Sequence, residues 1–310
     1  MIEARGLSKR YGPKIAVDGL DFTIPPGRVT GFLGPNGAGK STTMRMIVGL
    51  DKPTAGSVTV NGRRYRDHTA PLHEVGTLLE ARAIQPGRTA FNHLLALAQT
   101  NGISRTRVEE VIDLVGLRDV AGKRVGGFSL GMGQRLGIGV ALLGDPQVLV
   151  LDEPVNGLDP EGILWIRNLL TYLASEGKTV FVSSHLMSEM SLTAEHLIVI
   201  GRGKLIADMS VRDFVESSSH NYILVRSPQL RELQNALLEA GASVAATAEG
   251  ALAVTGMAIA QVGDTAGSQR ITLHELSLHQ ASLEQVFMDL TQDSVEFPTA
   301  VPTADDVRAE

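Results

Sequence analysis

The stretch GFLGPNGAGKSTT, residues 31–43, constrains this fold more than any other feature of the chain. It sets Gly34-x-x-x-x-Gly39-Lys40-Ser41 directly after an apolar run and directly before a helical pattern. Glycines let successive backbone N–H groups point into one concavity, which suits phosphate oxygens, and the motif needs a strand before it and a helix after it. Lys40 supplies a mobile positive charge to the terminal phosphates of a nucleotide, and the Ser41 hydroxyl is a candidate Mg²⁺ ligand. The four fixed positions arise by chance in roughly one chain in a hundred of this length. The strand–loop–helix placement makes chance rarer still.

The apolar pattern agrees with a covered sheet. VLVLDEP (148–154), TVFVSSH (179–185) and HLIVIGRGKLIAD (196–208) are nearly continuous Val/Ile/Leu runs, as expected of strands buried on both faces. Residues 1–33 read as short strands with a turn at 25–27, and SVTVNG (57–62) as a strand ending in a turn. Residues 41–50 and most of 87–143 carry helical patterns. The composition breaks at VESSSHN (215–221), and a weaker αβ pattern follows. The expected domains are therefore 1–215, a small α+β domain at 216–292, and a disordered tail at 293–310.

FSLGMGQRLGIG, residues 128–139, is ambiguous by itself. Each interior glycine costs a helix about 0.5–1 kcal/mol. The stretch is either a glycine-rich loop or a helix tip stripped of side chains so that backbone N–H groups can meet an anion.

Two carboxylates follow the run at 148–151. A strand ending at the carboxyl edge of an open α/β sheet delivers its last residues to the ligand crevice. Adjacent residues on a strand face opposite ways. Asp152 is thus the candidate metal carboxylate, and Glu153 the candidate base for an attacking water. His185 follows the next apolar run, at the same edge, and is placed to contact a terminal phosphate. Asp159 in NGLDPEG reads locally as turn chemistry.

The bulk numbers exclude several classes. Net charge is −6 over 310 residues, so no global basic field favours nucleic acid. There are no cysteines, which removes disulfides and thiolate metal sites. The N-terminal stretch has no signal-peptide core, and no uncharged apolar run reaches the ~18–20 residues that span a bilayer.

GPNGAGKST (34–42), FSLGM (128–132), VLVLDEP (148–154), GLDP (157–160) and SSH (183–185), in that order, resemble the ATP-binding subunits of ABC transporters. The resemblance covers residues 1 to about 215. It implies an α/β P-loop NTPase fold: a mixed-sheet core, an antiparallel β subdomain, and a helical subdomain near 87–145. It implies ATP and Mg²⁺ as cofactors and a homodimer sandwiching two ATP molecules. It also implies a separate transmembrane permease, which places the chain at the cytoplasmic face of a membrane.

Position by position, Tyr11 matches the adenine-stacking aromatic. Gly34, Asn36, Gly37, Ala38, Gly39, Lys40, Ser41 and Thr42 match the phosphate loop. Asp152 matches the magnesium carboxylate, Glu153 the catalytic base, Asp159 the dimer-crossing aspartate and His185 the switch histidine. Residues 128–132 match the signature motif, in which Ser129 and Gly131 would grip the γ-phosphate held by the partner copy.

Three departures stand out. Leu130 and Met132 replace a glycine and a glutamine of the usual signature. Glu80 occupies the lid position where glutamine is common, with Gln85 as the competing candidate; a glutamate only accepts hydrogen bonds. Gly133 stands where a longer polar residue is common. The Glu80 and SLGM features are similar to the bacitracin- and lantibiotic-export branch, so drug, antibiotic or peptide efflux is the expected role. The alternative is a soluble ABC-fold ATPase in translation or DNA maintenance; a second cassette or a long coiled coil would favour it, and neither is present. A P-loop kinase or GTPase is disfavoured by FSLGM and the SSH histidine.

Overall fold

The computed structural model describes residues 1–80, 83–218 and 220–291. The expected disordered tail, 293–310, lies outside the described residues. The chain divides into two compact units: Met1–Val211 with the end of the last helix, and Arg212–Met288.

The first unit opens with β1 (Ile2–Tyr11), β2 (Lys14–Ile24), β3 (Val29–Leu33), α1 (Lys40–Ile47) and β4 (Ala55–Val60). A short helix α2 (Pro71–Glu74) leads into β5 (Val75–Leu78). Three helices follow: α3 (Ala90–Thr100), α4 (Arg105–Leu114) and α5 (Leu130–Leu142). The unit closes with β6 (Val148–Asp152), α6 (Pro160–Ser175), β7 (Thr179–Ser183), α7 (Met187–Thr193), β8 (His196–Gly201) and β9 (Lys204–Ser210).

A six-stranded sheet of order β5-β6-β7-β3-β8-β9 forms the centre. Its strands are parallel except β9, which pairs antiparallel with β8. A separate antiparallel sheet has the order β2-β1-β4. Every residue of β3 and β7 is buried, as a parallel sheet covered on both faces requires. Between the sheets the rings of Phe22, Phe32 and Phe181 pack at centroid distances of 5.0–6.3 Å.

Three local readings change. The run 196–208 is a hairpin rather than one buried strand. Arg202 and Gly203 both take positive φ, 46° and 79°, the signature of a type I′ turn, and β9 forms a half-exposed edge. VGTL, at the head of the expected lid loop, is the edge strand β5. The ambiguous glycine-rich stretch is the 13-residue helix α5.

α8 (Val211–Glu216) leads into the second unit, which contains β10 (Tyr222–Arg226), α9 (Leu230–Glu239), β11 (Ser243–Ala246), β12 (Leu252–Thr255), α10 (Ile259–Ser268) and β13 (Glu275–His279). The last helix is α11 (Leu283–Thr291). The strands form an antiparallel sheet of order β11-β12-β10-β13. Leu233 and Leu237 of α9 and Val262 and Ala266 of α10 share one core with Ile223, Val225 and Val254 of this sheet. Helix α10 escapes a reading by propensity because it carries Gly263 and Gly267; burial of one small-residue face stabilises it instead.

Candidate nucleotide site

The loop after β3 is shaped by close packing. A Cβ on Gly34 would lie 2.5 Å from the Ile200 carbonyl oxygen, so only glycine fits there. α1 begins at Lys40, directly after Gly39, whose φ of 106° is open chiefly to glycine. Lys40 is buried, and its Nζ donates to the carbonyls of Gly34 at 2.6 Å and Pro35 at 3.3 Å. Burial pulls its pKa below the ordinary lysine range, against the carboxylates of Glu153 and Asp152, which pull it back up. The two loop carbonyls thus hold the ammonium inside the loop.

Ser41 and Asp152 meet: Ser41 Oγ donates to Asp152 Oδ2 at 2.7 Å. The register pairs Asp152 with Ser183 on neighbouring strands. Ser183 Oγ donates to Asp152 Oδ1 and accepts the Glu153 N–H at 3.0 Å. Ser183 therefore orients both acids, a role not read from the sequence. Gln134 of α5, also unread, is buried and donates through Nε2 to the Glu153 carbonyl at 3.1 Å. Glu153 itself has φ 51°, a left-handed conformation rare for a residue with a side chain. Backbone strain of this kind costs roughly 1–3 kcal/mol and clusters at functional sites. His185 completes the group: its Nδ1 lies 2.7 Å from Glu153 Oε2, and its backbone N–H donates to the same oxygen at 3.3 Å.

The fit to magnesium is testable on these donors. Mg²⁺ takes hard oxygen ligands, few from protein, and keeps waters and phosphate oxygens for the rest. Ser41 Oγ and Asp152 Oδ2 are such a pair, already adjacent. They fit the ion.

Glu80 shares the wall of a cavity of about 470 Å³ with Ser41, Arg45 and Asp152. Gln85 is exposed and does not line it. Tyr11 is half-exposed, and its hydroxyl donates to Asp51 Oδ2 at 2.9 Å; Arg45 Nε donates to the same oxygen at 2.8 Å. Lys9 Nζ lies over the Tyr11 ring, 4.9 Å from its centroid. Burial and then the bond to Asp51 raise the Tyr11 pKa, and the bond from Arg45 lowers that of Asp51.

Ser129 and Asp159 both cap helices. Ser129 Oγ accepts the Met132 N–H at 3.2 Å at the head of α5, which leaves its own O–H free to donate. Asp159 Oδ1 accepts the Gly162 N–H at 2.8 Å at the head of α6, so within its own chain it is a helix N-cap rather than the turn residue its local sequence suggests. Gly131 has an intrachain reason: a Cβ there would sit 2.8 Å from the Gly157 carbonyl. Gly133 has none, since a Cβ there meets only Ile84 Cδ1 at 3.8 Å.

A phosphate-loop cradle, a serine–aspartate pair and a glutamate–histidine pair gathered at one sheet edge are the arrangement of a P-loop nucleotide hydrolase. The comparisons narrow the class. The ABC transporter family matches residues 17–156, and a domain of unknown function, DUF8746, matches residues 221–284. The chain is 35% identical to the uncharacterized ABC transporter ATP-binding protein YhcH of Bacillus subtilis, over 96% of this chain and 97% of that protein. It is 41% identical to the bacitracin transport ATP-binding protein BcrA of Bacillus licheniformis, over 72% of this chain and 74% of that protein. The dimeric structure of a post-hydrolysis state of the ATP-binding cassette MJ0796, bound to ADP and Pi, superposes with a TM-score of 0.62 at 26% identity, covering 68% of this chain and 99% of that one. The chain belongs to the ABC transporter ATP-binding proteins and is an ATPase of that family.

Proposed function

We propose that two copies of this chain close head to tail on two ATP molecules and drive a separate membrane permease that exports a drug, antibiotic or peptide. The observation that supports this reading is the hydrogen-bonded group Ser41, Asp152, Ser183, Glu153 and His185 beside the buried Lys40, which would serve the hydrolytic half of a site that a second copy completes. The names of the bacitracin and lantibiotic transport relatives support export. Among the described residues no helix is long and apolar enough to cross a membrane. The same relatives' names suggest the separate permease and, with it, a place for this chain at the cytoplasmic membrane face.

The chemistry follows from the geometry. Lys40 turns its buried charge to the β- and γ-phosphates. Ser41 and Asp152 would hold Mg²⁺, which neutralises phosphate charge as it develops. Glu80, on the same cavity wall, orients water by accepting its hydrogen bonds. Tyr11, half-exposed, would stack its ring on adenine. Glu153 accepts a proton from the attacking water while the oxygen bonds to the γ-phosphorus. The bond from that phosphorus to the β–γ bridging oxygen breaks, and its electron pair leaves with ADP. His185 keeps Glu153 Oε2 oriented and reaches the departing phosphate. Ser129 O–H and the Gly131 N–H meet the nucleotide of the other copy, where a helix N-terminus favours the anion, and Asp159 crosses the dimer interface beside them.

Glu153→Gln tests the assignment. With ATP, the variant is expected to accumulate as a dimer by sedimentation, with hydrolysis near background. A monomer that still hydrolyses at the normal rate overturns it. Ser129→Arg should abolish hydrolysis and spare ATP binding by the monomer; loss of monomer binding counts against a site shared between chains.

A further inference from the structure

The two helices that carry Ser129 and Asp159 at their tips are also pinned to each other further along. Arg135 lies six residues beyond Ser129 on α5, and Trp165 six residues beyond Asp159 on α6. They meet: the Arg135 guanidinium carbon sits 4.6 Å from the Trp165 ring centroid. Both side chains then close the end of a third helix. Arg135 Nη1 donates to the Val115 carbonyl at 3.2 Å, and Trp165 Nε1 donates to the Leu114 carbonyl at 3.2 Å. The last carbonyls of any helix lack partners within it, so α4 ends on donors from two different helices. At the tips there is a second contact. The missing side chain of Gly131 makes room for the Gly157 carbonyl, and Leu130 covers Gly157 so closely that a Cβ there would strike it.

Contact at two levels fixes both the separation and the rotation of the two helices. The buried residues Leu136, Ile138, Ile166 and Leu169 already attach them to the core. Arg135 and Trp165 remain partly exposed, so their contribution is orientation more than burial. A cation over an indole face and two directed hydrogen bonds specify geometry in a way that apolar packing does not.

We infer that Arg135 and Trp165 are positioning residues that hold Ser129 and Asp159 as one preset unit, offered together to a second copy, Ser129 to its nucleotide and Asp159 to the facing protein surface. This rests on the two-chain reading above. Preset geometry reduces the ordering cost of closure, so loosening the clamp weakens dimer formation and leaves the nucleotide's own loop untouched.

The experiment measures ATP-driven dimerisation in the Glu153→Gln background, beside ATP binding by the monomer and kcat in the otherwise native chain. Trp165→Leu and Arg135→Met are each expected to raise the ATP concentration for half-dimerisation about tenfold, equivalent to ~1.4 kcal/mol, and to lower kcat by a similar factor. Monomer ATP affinity should stay within about twofold. Trp165→Phe and Arg135→Lys keep a ring face and a cation and should recover part of the loss, the remainder reflecting the lost Nε1 bond to Leu114 and the lost planar stack. The double variant should be no worse than the worse single one, because the two residues act as a unit. Trp165 is the only tryptophan, so its emission should shift in Arg135→Met and not in Arg135→Lys. If Arg135→Met fails to fold, the Phe and Leu variants of Trp165 decide alone. The inference is overturned if dimerisation is unchanged, if monomer affinity falls in parallel, or if the single effects multiply. A Glu153→Gln chain that never dimerises with Arg135 and Trp165 intact removes the two-chain reading first, and this inference with it.

Discussion

His185 Nδ1 approaches Glu153 Oε2 to 2.7 Å across 32 residues of sequence. The two residues follow β7 and β6, which lie side by side and parallel. The pair also explains why the left-handed backbone at Glu153 is tolerated. Ser183, Gln134 and His185 each hold one of its polar groups, and together they offset the strain.

His185→Ala should therefore lower kcat without weakening ATP binding. General acid–base groups and their orienting partners contribute roughly 10²–10⁴-fold, and a loss of at least 10²-fold is expected. Steady-state hydrolysis beside equilibrium ATP binding checks it. A fall in affinity matching the fall in rate would assign His185 to binding alone.

Lys40 predicts a pH dependence of stability. Its folded pKa lies below its unfolded value, because burial penalises the charged form. Between those two pKa values the unfolded chain binds the extra proton, so stability rises with pH across that window. Below the folded value the penalty is fully present. Lys40→Met lacks this term, so its stability advantage in the nucleotide-free state should shrink as pH rises toward the ordinary lysine value of 10.5. Paired denaturant melts from neutral to alkaline pH measure the difference. ATP binding should be lost in the same variant.

Glu80 and Gln85 are separable by metal dependence. Glu80 shares a cavity with Ser41 and Asp152, and Gln85 does not line it. Glu80→Ala is expected to raise the Mg²⁺ concentration for half-maximal hydrolysis several-fold, and Glu80→Gln to restore part of it. Gln85→Ala should match the parent chain. The reverse pattern would move the lid role to Gln85.

Gly131→Ala and Gly133→Ala should diverge although they sit two residues apart. The first drives a methyl to 2.8 Å from the Gly157 carbonyl, and the second meets only Ile84 at 3.8 Å. Gly131→Ala should impair hydrolysis by about tenfold or more and lower Tm. Gly133→Ala should raise the stability of the single chain slightly, since alanine favours a helix by about 0.5–1 kcal/mol. Thermal melts and ATPase rates distinguish them.

Tyr11 is held by Asp51, which is held in turn by Arg45. Asp51→Asn weakens both bonds and frees the ring to rotate, so KM for ATP should rise a few-fold with kcat unchanged. Tyr11→Leu should raise it further, because the stacking face is lost.

Much of the nucleotide-binding half was legible because its chemistry is local. Backbone amides in a short loop, a lysine, a hydroxyl and a strand-terminal acid all follow from adjacent residues. The hairpin at 196–208 was less legible, because an apolar run does not reveal where it reverses; two positive φ angles at Arg202 and Gly203 decide that. Helix α5 was undecidable from propensity. Its glycines disfavour a helix, while the Ser129 cap and the burial of Leu136, Ile138 and Leu142 stabilise one. A small-residue face concealed α10 in the same way.

By itself, then, the amino-acid order settled the strand–loop–helix cradle, the lysine and hydroxyl within it, and the acids at the end of an apolar strand. Strand order and register decided the rest. They set Ser183 against Asp152, brought His185 to Glu153, and let Gln134 reach a carbonyl on another element. A hydrogen bond depends on tenths of an ångström between groups far apart in the chain, and only the packed sheet and its helices specify such distances.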